Sequence, residues 1–302
     1  MENDLSLGAA WMNGTVIPIS QATIPVNDWG LVHSDITYDV VPVIDGAFFR
    51  FDEYLARFLS SMENLHLDPG MSKRDIKAAL HQMVSKSRLR DSYVAMVCSR
   101  GKPKIAGSRD PRDCDNHFFA WCVPYVHVIK PEVVEQGATA WIAQNAYRIP
   151  ENSVNPLVKN YHWGDFTQGI FEAKDKDYET VILLDYDGNV TEGPGFNVFA
   201  VKDKVLITPD RGVLAGVSRK TVLEMAEHLG INTSIRSLSV EELLEADEVF
   251  LSSSGGGVIP IIRVNETIFG NGASGPISVQ LNKTYWTWTT LEKYRDPIDY
   301  AL

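Results

Sequence analysis

The alternation of hydrophobic and polar residues predicts β-strands at the start of the chain. Two β-hairpins are indicated, because β-branched and aromatic residues flank a two-residue turn in each of two stretches. Asn13–Gly14 is the turn within Trp11–Pro18, and Asp45–Gly46 is the turn within Thr37–Phe51. We therefore expect the chain to begin with two pairs of strands.

Helical spacing follows these hairpins. Apolar residues at intervals of three and four predict a helix from Asp52, which we take as its N-cap, and a second helix from Ser72. Tyr93–Ser99 and His117–Val128 resemble strands and are separated by a polar loop of about 17 residues. Because so long an irregular loop is uncommon inside a domain, we expect it to be functional or mobile.

The second half of the chain mixes strands and helices in an irregular order, which is typical of an α+β fold and not of a regular βαβ series. The predicted strands are Ala138–Ala143, Glu179–Asp185, Asn197–Val201, Val205–Thr208 and Glu248–Ser252. The predicted helices lie near Gly164–Ala173, Ser218–Leu229 and Val240–Glu245.

The length of 302 residues corresponds to two domains at roughly 150 residues each. Ile129–Gly137 is polar and contains Pro131, so we interpret it as the interdomain connection. The prediction is a small N-terminal α+β domain over residues 1–128, a linker over 129–137 and a larger C-terminal domain over 138–302.

Composition argues against several classes of partner. The formal net charge is −11 and no block of basic residues occurs, so we expect no nucleic acid partner. No apolar run approaches about 18 residues, so we expect no membrane span. Three scattered cysteines, and histidines without the short spacings of zinc ligands, predict no metal. The N-terminus lacks the apolar run of a signal peptide, so the expected location is the cytoplasm.

Two segments contain candidate reactive side chains. Lys159 in NPLVKNYHWGD has apolar and aromatic neighbours that predict partial burial, and desolvation favours the neutral, nucleophilic form of an amine. An ordinary surface lysine is the simpler interpretation. Glu192 in TEGPGFNVF lies beside a Gly-Pro-Gly turn, where it is either an ordinary turn residue or a carboxylate that pairs with a buried cation.

Two further segments could hold an anion. Ser218 in GVLAGVSR is either the cap of the following helix or part of a helix N-terminus that binds an anion. The serines and glycines of FLSSSGGGVIP form either a flexible turn or a nest of hydroxyl and amide groups around a phosphate. A lysine, an acid and two anion-binding segments are the parts that a site for pyridoxal 5'-phosphate requires.

From about Trp11 to Ser278 the sequence resembles the fold-type IV pyridoxal-phosphate transaminases, which include branched-chain, D-amino-acid and (R)-selective amine transaminases. The family resemblance rests on FDEYLARF, VKN, NVTEGPGFNVF, TPDRGVLAGVSRK and DEVFLSSSGGGVIPI. Within the family, HSDITYDV, KNYHWGDF, NKTYW and IDY are most similar to the (R)-selective amine transaminases. The resemblance implies a two-domain α+β fold of the D-amino-acid aminotransferase type, with pyridoxal 5'-phosphate as cofactor.

The resemblance also assigns roles. Lys159 matches the lysine that forms a Schiff base with the cofactor and later moves the proton between the substrate carbon and cofactor C4′. Glu192 matches the acid that keeps the pyridine nitrogen protonated, which makes the ring an electron sink. The other matches are Arg57, Ser254 and the amides of Val217 and Ser218 at the phosphate, and Leu214 against the ring face.

The substrate pocket is assigned in the same way. Tyr38 matches a position that lines the pocket in this family, Val40 lies on the same strand face, and Tyr93 is a further candidate; simple strand packing is the alternative for all three. Relatives often carry an arginine before a Gly-Ser pair to hold an acceptor's carboxylate, whereas this chain has Ala106 there. Arg109 and Arg112 are the candidates to replace it.

The resemblance predicts an enzyme that moves an amino group from an (R)-configured primary amine to a keto acid or ketone such as pyruvate. Its expected partners are a small amine donor, a keto acceptor and a second copy of the chain in a homodimer. The alternatives are a D-amino-acid or branched-chain aminotransferase and, less favoured, an aminodeoxychorismate lyase of the same fold type. A non-catalytic binding module is disfavoured because both Lys159 and Glu192 are present.

Overall fold

The computed structural model describes residues 4–301. The chain divides into two units. The first contains the residues up to Val126, the short segment Val158–His162 and the segment from Leu291 onward. The second contains His127–Leu157 and Trp163–Thr290.

The strands alternate irregularly with the helices along the chain, as expected for an α+β fold. The strands are β1 (Ala9–Met12), β2 (Thr15–Pro18), β3 (Ile36–Ile44), β4 (Ala47–Phe49), β5 (Ser92–Ser99), β6 (His117–Pro124), β7 (Ala138–Tyr147), β8 (Thr180–Leu184), β9 (Glu192–Gly193), β10 (Phe196–Lys202), β11 (Val205–Thr208), β12 (Thr233–Ile235), β13 (Glu248–Ser253), β14 (Gly257–Val264), β15 (Thr267–Ile268) and β16 (Arg295–Pro297). The α-helices are α1 (Trp29–Val32), α2 (Phe51–Asn64), α3 (Lys73–Ser87), α4 (Pro131–Gln136), α5 (Gly164–Lys174), α6 (Val217–His228), α7 (Val240–Leu244) and α8 (Pro276–Trp288). None of the helices described between residues 4 and 301 is long and apolar enough to cross a membrane.

The first unit is built on an antiparallel sheet of seven strands in the order β16-β4-β3-β5-β6-β1-β2. Both predicted hairpins are confirmed. Asn13 and Gly14 have φ of 50° and 82°, and Asp45 and Gly46 have φ of 47° and 72°. These positive angles are what a two-residue turn needs to match the twist of its strands.

The two long helices of this unit begin differently. At α3 the predicted start is confirmed: Ser72 Oγ accepts from the Asp75 N–H, and Asp75 accepts from the Ser72 N–H, which is a capping box. At α2 the predicted N-cap, Asp52, is wrong. Arg50 occupies the N-cap position in a left-handed conformation, and Asp52 lies in the first turn. An acid there still favours the helix, because it faces the positive end of the helix dipole.

Strand β6 is four residues shorter at its C-terminal end than His117–Val128 predicts. Its last residue, Pro124, pairs with Ser92, which is the first residue of β5. The strand ends where its partner begins, because backbone groups beyond that point have no ladder to join.

The second unit contains a mixed sheet of nine strands. Its main path is β12-β11-β10-β13-β14-β7-β8, with β15 paired to β14 and β9 paired to β10. The pairs β7·β8, β7·β14 and β11·β12 are parallel. Helix α5 packs on β7 and β8 through a core cluster that includes Trp141, Phe166 and Val181. The predicted strands and helices of this half are all present, although β7 continues to Tyr147.

The longest elements of the second unit that were not predicted are β14, which follows the serine and glycine segment, and α8; the short elements α4, β9, β12 and β15 were not predicted either. The predicted linker 129–137 contains the short helix α4, which begins with Pro131 in its first turn. The chain first passes between the units at Val126, next to that linker, and it returns to the first unit at Val158–His162 and at Leu291. The sequence predicts neither return, and the domain division remains a prediction.

Candidate functional site

Lys159 lies on a short segment that pairs with the start of β3. Asn160 forms an isolated antiparallel bridge with Thr37. The Lys159 carbonyl accepts hydrogen bonds from Thr37 Oγ1 (2.6 Å) and the Tyr38 N–H (3.3 Å), and the Lys159 N–H donates to Ser61 Oγ (3.3 Å). Three hydrogen bonds therefore fix the backbone of the lysine, whose side chain is half-buried as its neighbours predict.

The amine lies against one ring of an aromatic pair. Lys159 Nζ lies 4.6 Å from the centroid of the Tyr38 ring. The Tyr38 ring stacks on Tyr161, with 4.1 Å between centroids and 7° between planes. Tyr161 is two residues after Lys159 and therefore on the same face of an extended segment. Sequence reasoning missed Tyr161, although this spacing was available.

The three predicted substrate residues share one face of the first sheet. Tyr38 and Val40 belong to one apolar cluster, against which Tyr93 and Trp121 are packed. The rings of Tyr93 and Trp121 stack with 5.5 Å between centroids. Burial raises the pKa of Tyr93 and that of Tyr161, so both hydroxyl groups stay neutral. The structure therefore brings Tyr38, Val40, Tyr93 and Lys159 together within the first unit.

Arg57 on α2 forms a largely buried ion pair. Its Nε and Nη2 atoms donate to the two carboxylate oxygens of Asp39, at 2.8 Å and 2.7 Å. Asp39 is fully buried in β3. Burial alone would lower the pKa of Arg57, but the charge and hydrogen bonds of Asp39 raise it. Asp39, which the sequence analysis missed, thus holds this guanidinium in place.

Glu192, in the second unit, is buried at the start of β9. Its Oε2 atom accepts from the Leu214 N–H (2.8 Å) and from Asn197 Nδ2 (3.4 Å), and its Oε1 atom accepts from Arg148 Nε (3.1 Å). Of its two interpretations, a carboxylate paired with a buried cation is therefore the one that the structure supports. Arg148 was not predicted, because it lies 44 residues away in the sequence.

A helix N-terminus lies beside this carboxylate network. Helix α6 begins at Val217, and its N-cap is Gly216, which has no side chain to cap the first amides. A Cβ atom at Gly216 would lie 2.2 Å from Asn197 Oδ1, so only glycine fits. Ser218 is the second residue of the helix and is buried, so the capping interpretation of Ser218 is wrong. Helix amides of this kind bind anions.

The serine segment begins at the end of β13 and continues into a turn that hydrogen bonds fix. Ser253 Oγ donates to the Gly195 carbonyl (2.8 Å) and accepts from the Gly255 N–H (3.1 Å). Ser254 is half-buried in the turn that follows. Ser252 lies opposite Asn197, and its buried hydroxyl has no partner in the described structure. A buried carboxylate that can accept from a pyridinium N–H, together with helix amides and a buried hydroxyl that can donate to a phosphate, fits pyridoxal 5'-phosphate.

Residues 37–264 match the family model described as amino-transferase class IV. The chain belongs to this family. A putative branched-chain-amino-acid aminotransferase of Methanocaldococcus jannaschii is 27% identical over 278 residues, covering 91% of this chain and 94% of that protein. A D-alanine aminotransferase of Bacillus licheniformis is 29% identical over 273 residues, covering 88% and 92%.

The class IV fold is confirmed by a solved structure. The branched-chain amino acid aminotransferase of Thermobaculum terrenum, in its PLP-form, superposes with a TM-score of 0.84 at 24% identity, covering 99% of this chain and 100% of that one. This chain is therefore a fold-type IV enzyme, a pyridoxal-phosphate-dependent aminotransferase whose substrates are amines and keto acids. The predictions of fold class, enzyme class and cofactor are confirmed.

The long loop of this aminotransferase carries Ala106 and the two arginines that are candidates to replace the missing one. Ala106 and Arg109 are exposed. Arg112 forms a two-point ion pair with its neighbour Asp110, and the hydrogen bonds from Arg112 lower the pKa of that acid to about 2. Arg112, one of the two candidates to replace the missing arginine, is therefore already paired within the loop.

In residues 4–301 no group of three or more His, Cys, Asp or Glu residues could hold a metal ion.

Proposed function

We propose that this class IV aminotransferase moves an amino group from an (R)-configured primary amine to a keto acid or ketone such as pyruvate. The observation that carries the proposal is the aromatic surface of Tyr38, Tyr161 and Tyr93 next to the Lys159 amine. Such a surface favours a donor with an apolar or aromatic substituent over one with a second charge. The similarity of HSDITYDV and KNYHWGDF to the (R)-selective subgroup supports the same substrate class.

The charges near Tyr38 support an uncharged donor substituent as well. Arg57 lies near Tyr38, and its guanidinium is paired with the buried Asp39. In this proposal the remaining N–H groups of Arg57 bind the cofactor's phosphate, so Arg57 is not available to a donor's carboxylate. Ala106 stands where relatives often place an arginine for that purpose.

The cofactor, when bound, supplies an electron sink that stabilises negative charge on the donor's α-carbon. In this proposal Lys159 holds the cofactor covalently, and its released amine accepts the proton from that carbon and returns it. Glu192 keeps a proton on the pyridine nitrogen. Contacts with the phosphate come from Arg57, Ser254 and the amides of Val217 and Ser218; Leu214 lies against the ring; and Tyr38, Val40 and Tyr93 line the donor pocket.

A D-amino-acid or branched-chain aminotransferase is the second candidate. The similar proteins named D-alanine and branched-chain aminotransferases support it, and so does the exposed Arg109, which is available to a carboxylate. A lyase acting on aminodeoxychorismate is less favoured. The family resemblance also leads us to propose a homodimer located in the cytoplasm.

A donor panel tests the proposal. With 2-oxobutyrate as acceptor, kcat/KM should be highest for (R)-1-phenylethylamine and lower for its (S)-enantiomer, D-alanine and L-leucine. A clear preference for D-alanine or L-leucine would replace the proposal with the second candidate. Pyruvate release from aminodeoxychorismate without any amino acceptor would identify the lyase.

Lys159→Ala tests the central residue. Transamination should fall by at least about 1,000-fold, and borohydride should no longer fix the cofactor to the chain. The matched control is Lys174→Ala, because Lys174 is an exposed lysine at the end of α5. Full activity in Lys159→Ala would contradict the proposed role.

A further inference from the structure

The guanidinium of Arg148 lies between two buried carboxylates. Arg148 Nε donates to Glu192 Oε1 (3.1 Å), and Arg148 Nη1 donates to Asp165 Oδ2 (2.6 Å). The exposed fractions of the three side chains are 10% for Arg148 and 7% for each acid. At such burial each charge acts on the others with little screening by solvent.

Asp165 has donors of its own. Its Oδ2 atom also accepts from the Ile149 N–H (3.1 Å), and its Oδ1 atom accepts from the Phe166 N–H (2.8 Å). These hydrogen bonds hold the Asp165 carboxylate in one orientation at the start of α5. The Arg148 guanidinium also lies over the Phe166 ring, 4.4 Å from its centroid, which fixes the cation between its two partners.

The balance of charge follows from this geometry. One guanidinium and two carboxylates leave the cluster with one net negative charge. Without Asp165, the charge of Arg148 would neutralise that of Glu192, and a second cation, Arg219, interacts electrostatically with Glu192 as well. A neutralised Glu192 would be a poor partner for a protonated pyridine nitrogen, because two nearby cations would repel a third.

We propose that Asp165 is a positioning residue that shares Arg148 with Glu192 and thereby leaves Glu192 enough negative charge to retain the proton on the cofactor's pyridine nitrogen. The inference rests on the proposed role of Glu192. Asp165 acts through Arg148 and need not contact the cofactor itself. The three buried residues Arg148, Asp165 and Glu192 thus together determine how firmly the pyridine nitrogen keeps its proton, and with it how strongly the ring withdraws electrons.

The test uses the holoenzyme loaded with pyridoxal 5'-phosphate that carries ¹⁵N in the ring, because the ¹⁵N chemical shift separates protonated from unprotonated pyridine. In the native protein the shift should be that of the protonated ring. In Asp165→Asn, which keeps the size of the side chain, the proton affinity of the ring should fall on the order of tenfold, which moves the shift toward the unprotonated value. A native shift in Asp165→Asn would overturn the inference.

The double variant Arg148→Met with Asp165→Asn separates charge from structure. It removes one positive and one negative charge, so Glu192 again carries the net charge and the protonated shift should return. If Asp165→Asn does not fold, the single variant Arg148→Met carries the test, since it should keep the protonated shift and an unprotonated shift would overturn the inference. Glu242→Gln is the matched control, because Glu242 forms an exposed ion pair with Arg236.

Glu192→Gln distinguishes failure of this inference from failure of the proposed function. Loss of the protonated shift in Glu192→Gln together with a native shift in Asp165→Asn would overturn the role of Asp165 alone. A protonated shift in Glu192→Gln would overturn the role of Glu192 and, with it, the role of Asp165.

Discussion

Arg57 and Asp39 form a two-point ion pair in which the carboxylate is fully buried and the guanidinium is 13% exposed. The pair connects α2 to β3, the strand that also carries Tyr38. An arginine held by two hydrogen bonds keeps its remaining N–H groups in a fixed orientation. That orientation is what a phosphate-binding residue requires.

Replacing Asp39 should therefore affect both folding and cofactor affinity. Asp39→Ala leaves the Arg57 charge without its partner, so the free energy of unfolding of the apoprotein should fall by about 3 kcal/mol. The Kd for pyridoxal 5'-phosphate should rise about tenfold, which corresponds to about 1.4 kcal/mol. Urea unfolding and cofactor titration measure the two effects. Asp52→Ala is the control, because its ion pair with Lys73 is exposed and its removal should cost less than about 1 kcal/mol. Unchanged stability in Asp39→Ala would contradict the prediction.

Tyr161 should contribute to donor recognition through Tyr38. Tyr161→Leu removes the stacked ring, a contact of about 1 kcal/mol, so KM for (R)-1-phenylethylamine should rise about fivefold while kcat changes little. Tyr161→Phe keeps the ring and should behave like the native enzyme. Steady-state kinetics decide the matter, and equal KM values for the Leu and Phe variants would exclude a role for the stacking.

Gly216 should be intolerant of any side chain. The Cβ of Gly216→Ala would meet Asn197 Oδ1 at 2.2 Å, so either α6 or Asn197 must move, and Asn197 also supports Glu192. We expect the Kd for pyridoxal 5'-phosphate to rise at least about tenfold. Gly164→Ala, at the start of α5, is the control because its added methyl meets nothing within 4 Å. Normal cofactor affinity in Gly216→Ala would show that the α6 terminus does not bind the phosphate.

Asp28 should make stability depend on acid pH. Burial alone would raise its pKa, but hydrogen bonds from His117, Ser99 and the Gly30 N–H outweigh burial and lower it. A lowered pKa means that the stabilisation is complete above the ordinary aspartate value of about 4 and is lost as the pH falls through the lowered value. At pH 7, Asp28→Asn should cost about 2 kcal/mol.

The measurement for Asp28 is urea unfolding of the native protein and of Asp28→Asn at several pH values. The difference in the free energy of unfolding should shrink as the pH falls below about 4. Asp187→Asn, at an exposed turn position, should show no such trend. A difference that is constant from pH 7 to pH 3 would rule out a contribution from the charge of Asp28.

The sequence predicted those turns and helix ends that are stabilised by contacts between residues close together in the chain. The turn at Asn13–Gly14 and the capping box of Ser72 and Asp75 are examples, because the interacting groups are at most three residues apart. Helix α8 also had a local signal, since Leu281, Tyr285 and Trp288 are buried at helical spacing after Pro276. Its threonines and aromatic residues, which have low helix propensity, concealed that spacing.

The partners of the site residues could not be predicted in the same way. Asp39 pairs with an arginine 18 residues later, and Arg148 pairs with Asp165 and Glu192 across 17 and 44 residues. In the sequence, Asp39, Arg148 and Asp165 look like ordinary surface charges. Only the fold brings them together, because a buried charge is stable only beside a countercharge and the sequence does not show which one is near.

The return of the chain to the first unit at Leu291 has a consequence for biosynthesis. Strand β16 pairs with β4 at the edge of the first sheet, about 250 residues after it in the chain. The edge of β4 therefore stays unpaired until β16 has been synthesised, and an unpaired strand edge is a template for aggregation. We expect nascent chains that still lack β16 to depend on chaperones far more than the folded enzyme does.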